Sequence, residues 1–186
     1  MIGDNPNLAA TMFEFGAQTV VDINSQKVFR DVVFSWSRRF AIGASATVDI
    51  VIDPTGASGK TLVVLPVSVI AQGAGPIFVD VYYGTDADSD GTEWIGVNRD
   101  NRSNTAALTK LRLSPTINDA GTKIPFEFMI PSDGVPATAT FAGEVHDSLI
   151  LIPKTDGKYM FRFVNQEADI ASCLFSLTIF EATLGE

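Results

Sequence analysis

The chain reads as an all-β protein, an antiparallel β-sandwich of jelly-roll-like kind in a single domain. Three observations predict this. Apolar residues recur with a period of two almost everywhere after Met12, which is the signature of half-buried strands. Turn signals such as Asp53-Pro54-Thr55-Gly56, Gly73-Ala74-Gly75-Pro76 and Pro131-Ser132-Asp133-Gly134 punctuate those runs. No window carries a convincing helical period, and nine or ten short strands with frequent turns suit a sandwich or barrel.

Residues 1–11 hold Gly, Pro and two Asn and are expected to form a flexible N-terminal arm, with the sandwich occupying 12–186. Phe13 and Phe15 alternate, and Val28 to Trp36 is rich in Val and Phe. Val48, Ile50 and Ile52 share one parity, with Asp49 and Asp53 on the other. Thr61 to Ala71 is more uniformly apolar, as for a strand covered on both faces, while Pro66 marks an edge or a bulge. Val79, Val81 and Tyr83 alternate with Phe78, Asp80 and Tyr82. Phe126, Phe128 and Ile130 share a face. Thr155-Asp156-Gly157-Lys158 is a hairpin signal. Tyr159, Phe161 and Phe163 alternate with Arg162 and Asn165. Cys173, Phe175, Leu177 and Ile179 oppose Ser176 and Thr178 in the last strand.

Composition narrows the function classes. At 186 residues the chain is one domain by size and long enough to bury a full core without staples. The net charge is -9, from 13 basic and 22 acidic residues. Such a field repels phosphate, so no direct nucleic-acid partner is expected. A single cysteine, Cys173, permits no internal disulfide. No apolar run nears the ~20 residues of a spanning helix, so no membrane role is expected. Met1 to Asn7 lacks the basic start of a signal peptide, which predicts a protein made in a cytoplasm and kept there or released by lysis.

The organising stretch is Gly84 to Ile124, which is polar, marked by glycine and dense in Asp and Asn. Within it Asp86, Asp88 and Asp90, followed by Gly91, match the first half of a Ca2+ loop, where carboxylates at alternate positions wrap a hard cation. The closing acid is missing, because Val97 stands at the twelfth position. A solvated acidic turn is the preferred reading and no cofactor is expected, with Ca2+ at this loop as the alternative. Arg38, Arg39, Arg99 and Arg102 stand out in an acidic chain, and with Asn101 they are the candidate inter-subunit or partner contacts. Guanidinium groups suit carboxylate pairing between subunits; the plain alternative is solvated loop tips.

Catalytic motifs fail one by one. Gly56 to Thr61 looks like the end of a phosphate loop, but Pro54 stands where the first glycine belongs and a strand pattern comes next, so a hairpin loop is expected. His146, the only histidine, lies beside Asp147 and Glu144, with no Gly-x-Ser-x-Gly elsewhere to supply a nucleophile. Zinc would need more Cys or His than Cys173 and His146. An enzyme is not expected. Trp36 and Trp94 are read as core or interface anchors, with sugar-stacking platforms as the alternative.

Tyr82-Tyr83-Gly84-Thr85-Asp86, then Asn98-Arg99-Asp100-Asn101-Arg102-Ser103-Asn104-Thr105, then Ser114-Pro115-Thr116-Ile117-Asn118-Asp119-Ala120-Gly121-Thr122 resembles a group of small all-β virion proteins of tailed bacteriophages. In that group an Asn-Arg-Asn-Arg-type loop ending in Ser-Asn-Thr comes after a glycine turn; here Asp100 replaces the second Asn. The run Leu151 to Asn165 also looks like that group, and the likeness covers Val28 to Ala182. It implies a capsid decoration (cement) protein, located on the outside of the phage head. The implied partners are the major capsid protein and its own copies, as a homotrimer, with residues 1–11 as a clamp. The alternative is a carbohydrate- or receptor-binding module of a head fibre or tail.

Overall fold

A computed structural model of the protein describes residues 33–64, 67–100, 103–131, 137–141 and 157–182. Thirteen strands among these residues form two antiparallel sheets. The first orders β11 (Ala137–Phe141), β4 (Val67–Gln72), β13 (Ala171–Ala182), β1 (Val33–Ile42) and β7 (Val97–Asn98), with β3 (Thr61–Val64) also on β13. The second orders β10 (Thr122–Ile130), β5 (Ile77–Ala87), β12 (Lys158–Asn165), β2 (Thr47–Asp53), β8 (Lys110–Leu113) and β6 (Thr92–Trp94), with β9 (Ile117–Asp119) on β5.

Setting aside β3 and the short strands β6 to β9 leaves β1, β2, β4, β5, β10, β11, β12 and β13. Numbered one to eight in chain order, they give 1-8-3-6 in the first sheet and 2-7-4-5 in the second. These are the interleaved Greek keys of a jelly roll. The expected fold class is therefore the observed one.

Alternation builds the core. On β13 Ala171, Cys173, Phe175, Leu177 and Ile179 are buried, while Ser172 is exposed. On β12 Phe161 and Phe163 point to the same interior. Phe175 meets Phe161 and Phe163 with ring centroids 5.4 and 5.9 Å apart, both edge-on, the arrangement that ring quadrupoles favour. Burying one such Phe side chain contributes on the order of 1.5–3 kcal/mol, and the aromatic content falls mainly on this residue type.

Four expectations are corrected. β1 continues through Arg38 and Arg39 to Ile42, because Phe34, Trp36, Phe40 and Ile42 keep one inward parity. The arginines are thus strand residues, not loop tips. Residues 54–60 are not a hairpin loop: a 3-10 turn at Thr55–Ala57 carries the chain from β2 in one sheet to β3 in the other. The apolar run from Thr61 is not one strand but two, β3 and β4, which pair with β13 one beyond the other; the register steps by one residue between Val64, opposite Ile179, and Ser68, opposite Ser176, which is the step of the bulge expected in this run. Asn165 is buried with Phe163 rather than opposite it. Its side-chain amide donates to the carbonyls of Gly43 at 3.0 Å and Asp169 at 2.7 Å, and its Oδ1 accepts from the Glu167 N–H. It thereby joins the β1–β2 and β12–β13 corners. The arm at 1–11, Phe13, Phe15, His146 and the 155–156 half of the hairpin signal lie outside the described residues.

Candidate functional site

The stretch from Gly84 to Ile124 is not a loose loop. It contains the end of β5 and all of β6 to β9, and it clasps the sandwich. Gly84, at φ +70°, is the extra residue of a bulge: Lys158 pairs with Thr85 but Tyr159 with Tyr83. One inserted residue reverses the parity of the strand beyond it. Ala87 therefore leaves the main core and packs against Val51 and Met160 on the outer face of the second sheet, with Tyr82, Ile117 and Ala120 around them. The Lys158 ammonium donates to the Ala87 carbonyl and fixes this flap from below. β9 pairs with the flap, Asp86 opposite Asp119.

The Asp series holds the flap together. The Asp90 carboxylate accepts the Thr116 N–H and hydroxyl, both at 2.7 Å, and these bonds hold its pKa below the ordinary value. Asp88 Oδ1 accepts from the Asn118 amide at 3.0 Å, and the Asp88 N–H donates to the Thr116 carbonyl. Asp86 is exposed. Among the described residues no group of three or more His, Cys, Asp or Glu gathers as a metal ion requires. The alternate spacing that resembles a cation loop here lets the side chains of Asp88 and Asp90 reach across to Asn118 and Thr116.

From the flap the chain runs to β6 at the margin of the second sheet, then through Gly96 to β7 at the margin of the first. Gly96 is required by contact: a Cβ there would lie 2.4 Å from Cζ2 of Trp36. The Trp36 indole N–H donates to the Trp94 carbonyl at 3.0 Å, so the two tryptophans link β1 to β6 across the sandwich side. Both are buried, at 2% and 3% exposure, which is the anchor reading; neither face is free to stack on a sugar.

The loop after β7 bonds to itself. The Asp100 N–H donates to Asn98 Oδ1, the Asn98 amide to the Thr105 carbonyl, and the Thr105 N–H to Ser103 Oγ. The Asn and Ser/Thr of the motif thus shape the turn. Arg99 is exposed; its N–H donates to the Val33 carbonyl and its guanidinium to Ser35 Oγ at 3.4 Å. Arg39 lies on the same outward row of β1 as Ser35 and Ser37, while Arg38 sits over the Trp94 ring at 5.9 Å. Asn101 and Arg102 lie outside the described residues.

The two sheets carry opposite surface chemistry. Across its strands the first sheet has one acidic residue, Glu181, which is buried. Its outward rows are hydroxyls in register: Ser35 meets Thr178 at 2.9 Å and Ser37 meets Ser176 at 2.8 Å. The second sheet carries Asp49, Asp53, Asp80, Asp86, Glu93, Asp119 and Glu127. Its outer face is laced by ion pairs. Arg162 holds Asp49 through two bonds of 2.8 and 2.9 Å, which raise the guanidinium pKa. Arg112 meets Glu93 at 2.9 Å and Lys123 meets Asp80 at 2.6 Å.

Glu181 and Asn165 are two of the four buried polar side chains among the described residues, with Thr85 and Thr109; sequence reasoning passed over the first and misplaced the second. The Glu181 carboxylate accepts the N–H groups of Leu108 at 3.0 Å and Thr109 at 2.6 Å, tying the end of β13 to the entry of β8. The available signal was parity: Glu181 continues the inward row of Leu177 and Ile179. No known family model matches the chain, and no curated protein matches it.

Proposed function

We propose that this protein is a decoration (cement) protein of a tailed-phage head, bound to the outside of the capsid as a homotrimer and stabilising contacts between capsomers. The observation that carries the reading is the charge division between the two sheets. A chain of net charge -9 keeps its carboxylates off the outer face of one sheet. That face, lined by paired hydroxyls, can approach another protein without desolvating carboxylates or bringing like charges together. The opposite face, laced with ion pairs and carrying the acidic flap, suits a surface left in water. The resemblance of the Asn98–Thr105 loop and the Ser114–Thr122 turn to phage virion proteins supports the same reading.

In this account the major capsid protein meets the first sheet. Binding the assembled lattice better than separated capsomers shifts the equilibrium toward the intact head by mass action. The buried positions of Trp36 and Trp94 remove the residues on which a carbohydrate-binding module was argued.

The test is sedimentation of purified protein with heads that lack it. The reading expects saturable binding, with a stoichiometry of one trimer per local three-fold position. Ser37→Glu, which places a carboxylate on the acid-free face, is expected to weaken binding about tenfold or more, since a charge taken out of water without a partner costs several kcal/mol. Wild-type protein that stays in the supernatant would overturn the reading.

A further inference from the structure

The described residues show two unequal surfaces whose charges have no counterpart among those residues. The first is the free margin of β1. β7 pairs only with Phe34 and Ser35, so from Trp36 onward this margin has no strand beside it among the described residues. Arg39 lies along it, and Arg99 stands just past β7, opposite Val33 at the other end of β1; both are exposed with no acidic partner among the described residues, whereas Lys110, Arg112, Lys123, Lys158 and Arg162 all have one. Beside them Ile95 and Val97 are 86% and 67% exposed, the first being the most exposed large apolar side chain described. The second surface is the flap. Asp86, Asp88 and Asp119 are exposed there with no basic partner among the described residues, and Tyr83, 49% exposed, lies at its base.

We infer that these two surfaces are the two halves of one heterologous interface, in which the β1 margin of one copy docks on the flap of the next. Each half combines exposed apolar area with charge of a single sign, and the signs are opposite. Apolar anchors with a charged rim are the usual composition of a specific interface, and complementary charge sets its register. Pairing the margin with itself is disfavoured, because a two-fold contact would bring the Arg39 and Arg99 rows together; pairing two flaps would oppose carboxylates. An interface made from two different patches propagates in one direction and closes into a ring when the rotation between copies closes, at a third of a turn for a trimer. This rests on the trimer reading above and names the surfaces that would make that trimer.

The test is the solution mass of the full chain, by light scattering, for four proteins. Wild type is expected to be trimeric, with association weakening as salt rises and the exposed charges are screened. Arg39→Glu/Arg99→Glu and, separately, Asp86→Lys/Asp88→Lys are each expected to be monomeric at the same concentration. Carrying all four substitutions in one chain restores opposite signs and is expected to restore the trimer. Circular dichroism checks the fold, and Arg39→Gln/Arg99→Gln supplies a milder variant if the reversal unfolds. A monomeric wild type, a reversal variant that stays trimeric, or four substitutions that fail to restore a trimer lost by the folded pairs would each overturn the inference. A chain that assembles as described but ignores heads would instead overturn the capsid reading and leave this interface standing.

Discussion

Glu181 Oε1 accepts the backbone N–H of Thr109 at 2.6 Å, and Oε2 accepts that of Leu108 at 3.0 Å, at a site where Glu181 is 2% exposed. β13 and β8 belong to different sheets, so this carboxylate ties the end of one to the start of the other. Hydrogen bonds to a charged acceptor contribute about 1.5–3 kcal/mol each, and a buried donor left without a partner costs about 1–3 kcal/mol. Glu181→Ala is therefore expected to lower unfolding stability by about 3 kcal/mol in a urea titration, and Glu181→Gln by roughly half as much. Unchanged midpoints for both would remove the tie from the account.

Gly96 has a different requirement, namely space. Its missing Cβ leaves room for the Trp36 ring, which would otherwise be met at 2.4 Å. Gly96→Ala is expected to cost about 1–3 kcal/mol through overpacking, more than any gain from a stiffer unfolded chain. Trp fluorescence should shift with it, because Trp36 and Trp94 share a hydrogen bond across that contact.

The residues revealed some of this and concealed the rest, according to the physical cause behind each signal. Alternation in β12 and β13 displayed the inward rows directly, because a period of two has one physical cause. The Asp86–Asp90 spacing resembled a cation loop, because the same two-residue period that aims carboxylates at an ion also aims them at a neighbouring strand. Gly84 looked like a turn and proved to be a bulge, a distinction that depends on which strand pairs with it. Sheet order, and with it the acid-free and acid-rich faces, comes from long-range pairing such as β1 with β13, which no local pattern contains. Arg38 and Arg39 looked like loop residues because charge outweighed the flanking Phe and Ile in a short window.

Asp90 gives a pH prediction whose sign is set by its direction of shift. Its native pKa lies below the ordinary 3.8 because Thr116 donates two hydrogen bonds to the carboxylate. A lowered native value means that folding is favoured while the group is ionised. That contribution is full above the ordinary value and is lost as pH falls through the lowered native one. Thr116→Val removes the side-chain bond and is expected to raise the Asp90 titration midpoint toward 3.8 in a carboxyl NMR titration. An unmoved midpoint would contradict the assignment.

Burial pushes the Cys173 thiol up to about 12, so almost none is thiolate at neutral pH. Since the thiolate is the reactive form, iodoacetamide at about pH 8 is expected to leave native protein unlabelled and to label it fully in denaturant. Labelling of the folded chain at the rate of a free thiol would contradict the placement of Cys173 in the core.

The most direct measurement for the central claim is the temperature at which heads release their DNA, compared with and without added protein. A cement protein that binds the intact lattice should raise that temperature by several degrees, saturating with occupancy, and Ser37→Glu should need more protein for the same gain. A release temperature that does not move while the protein is visibly bound would contradict the stabilising role.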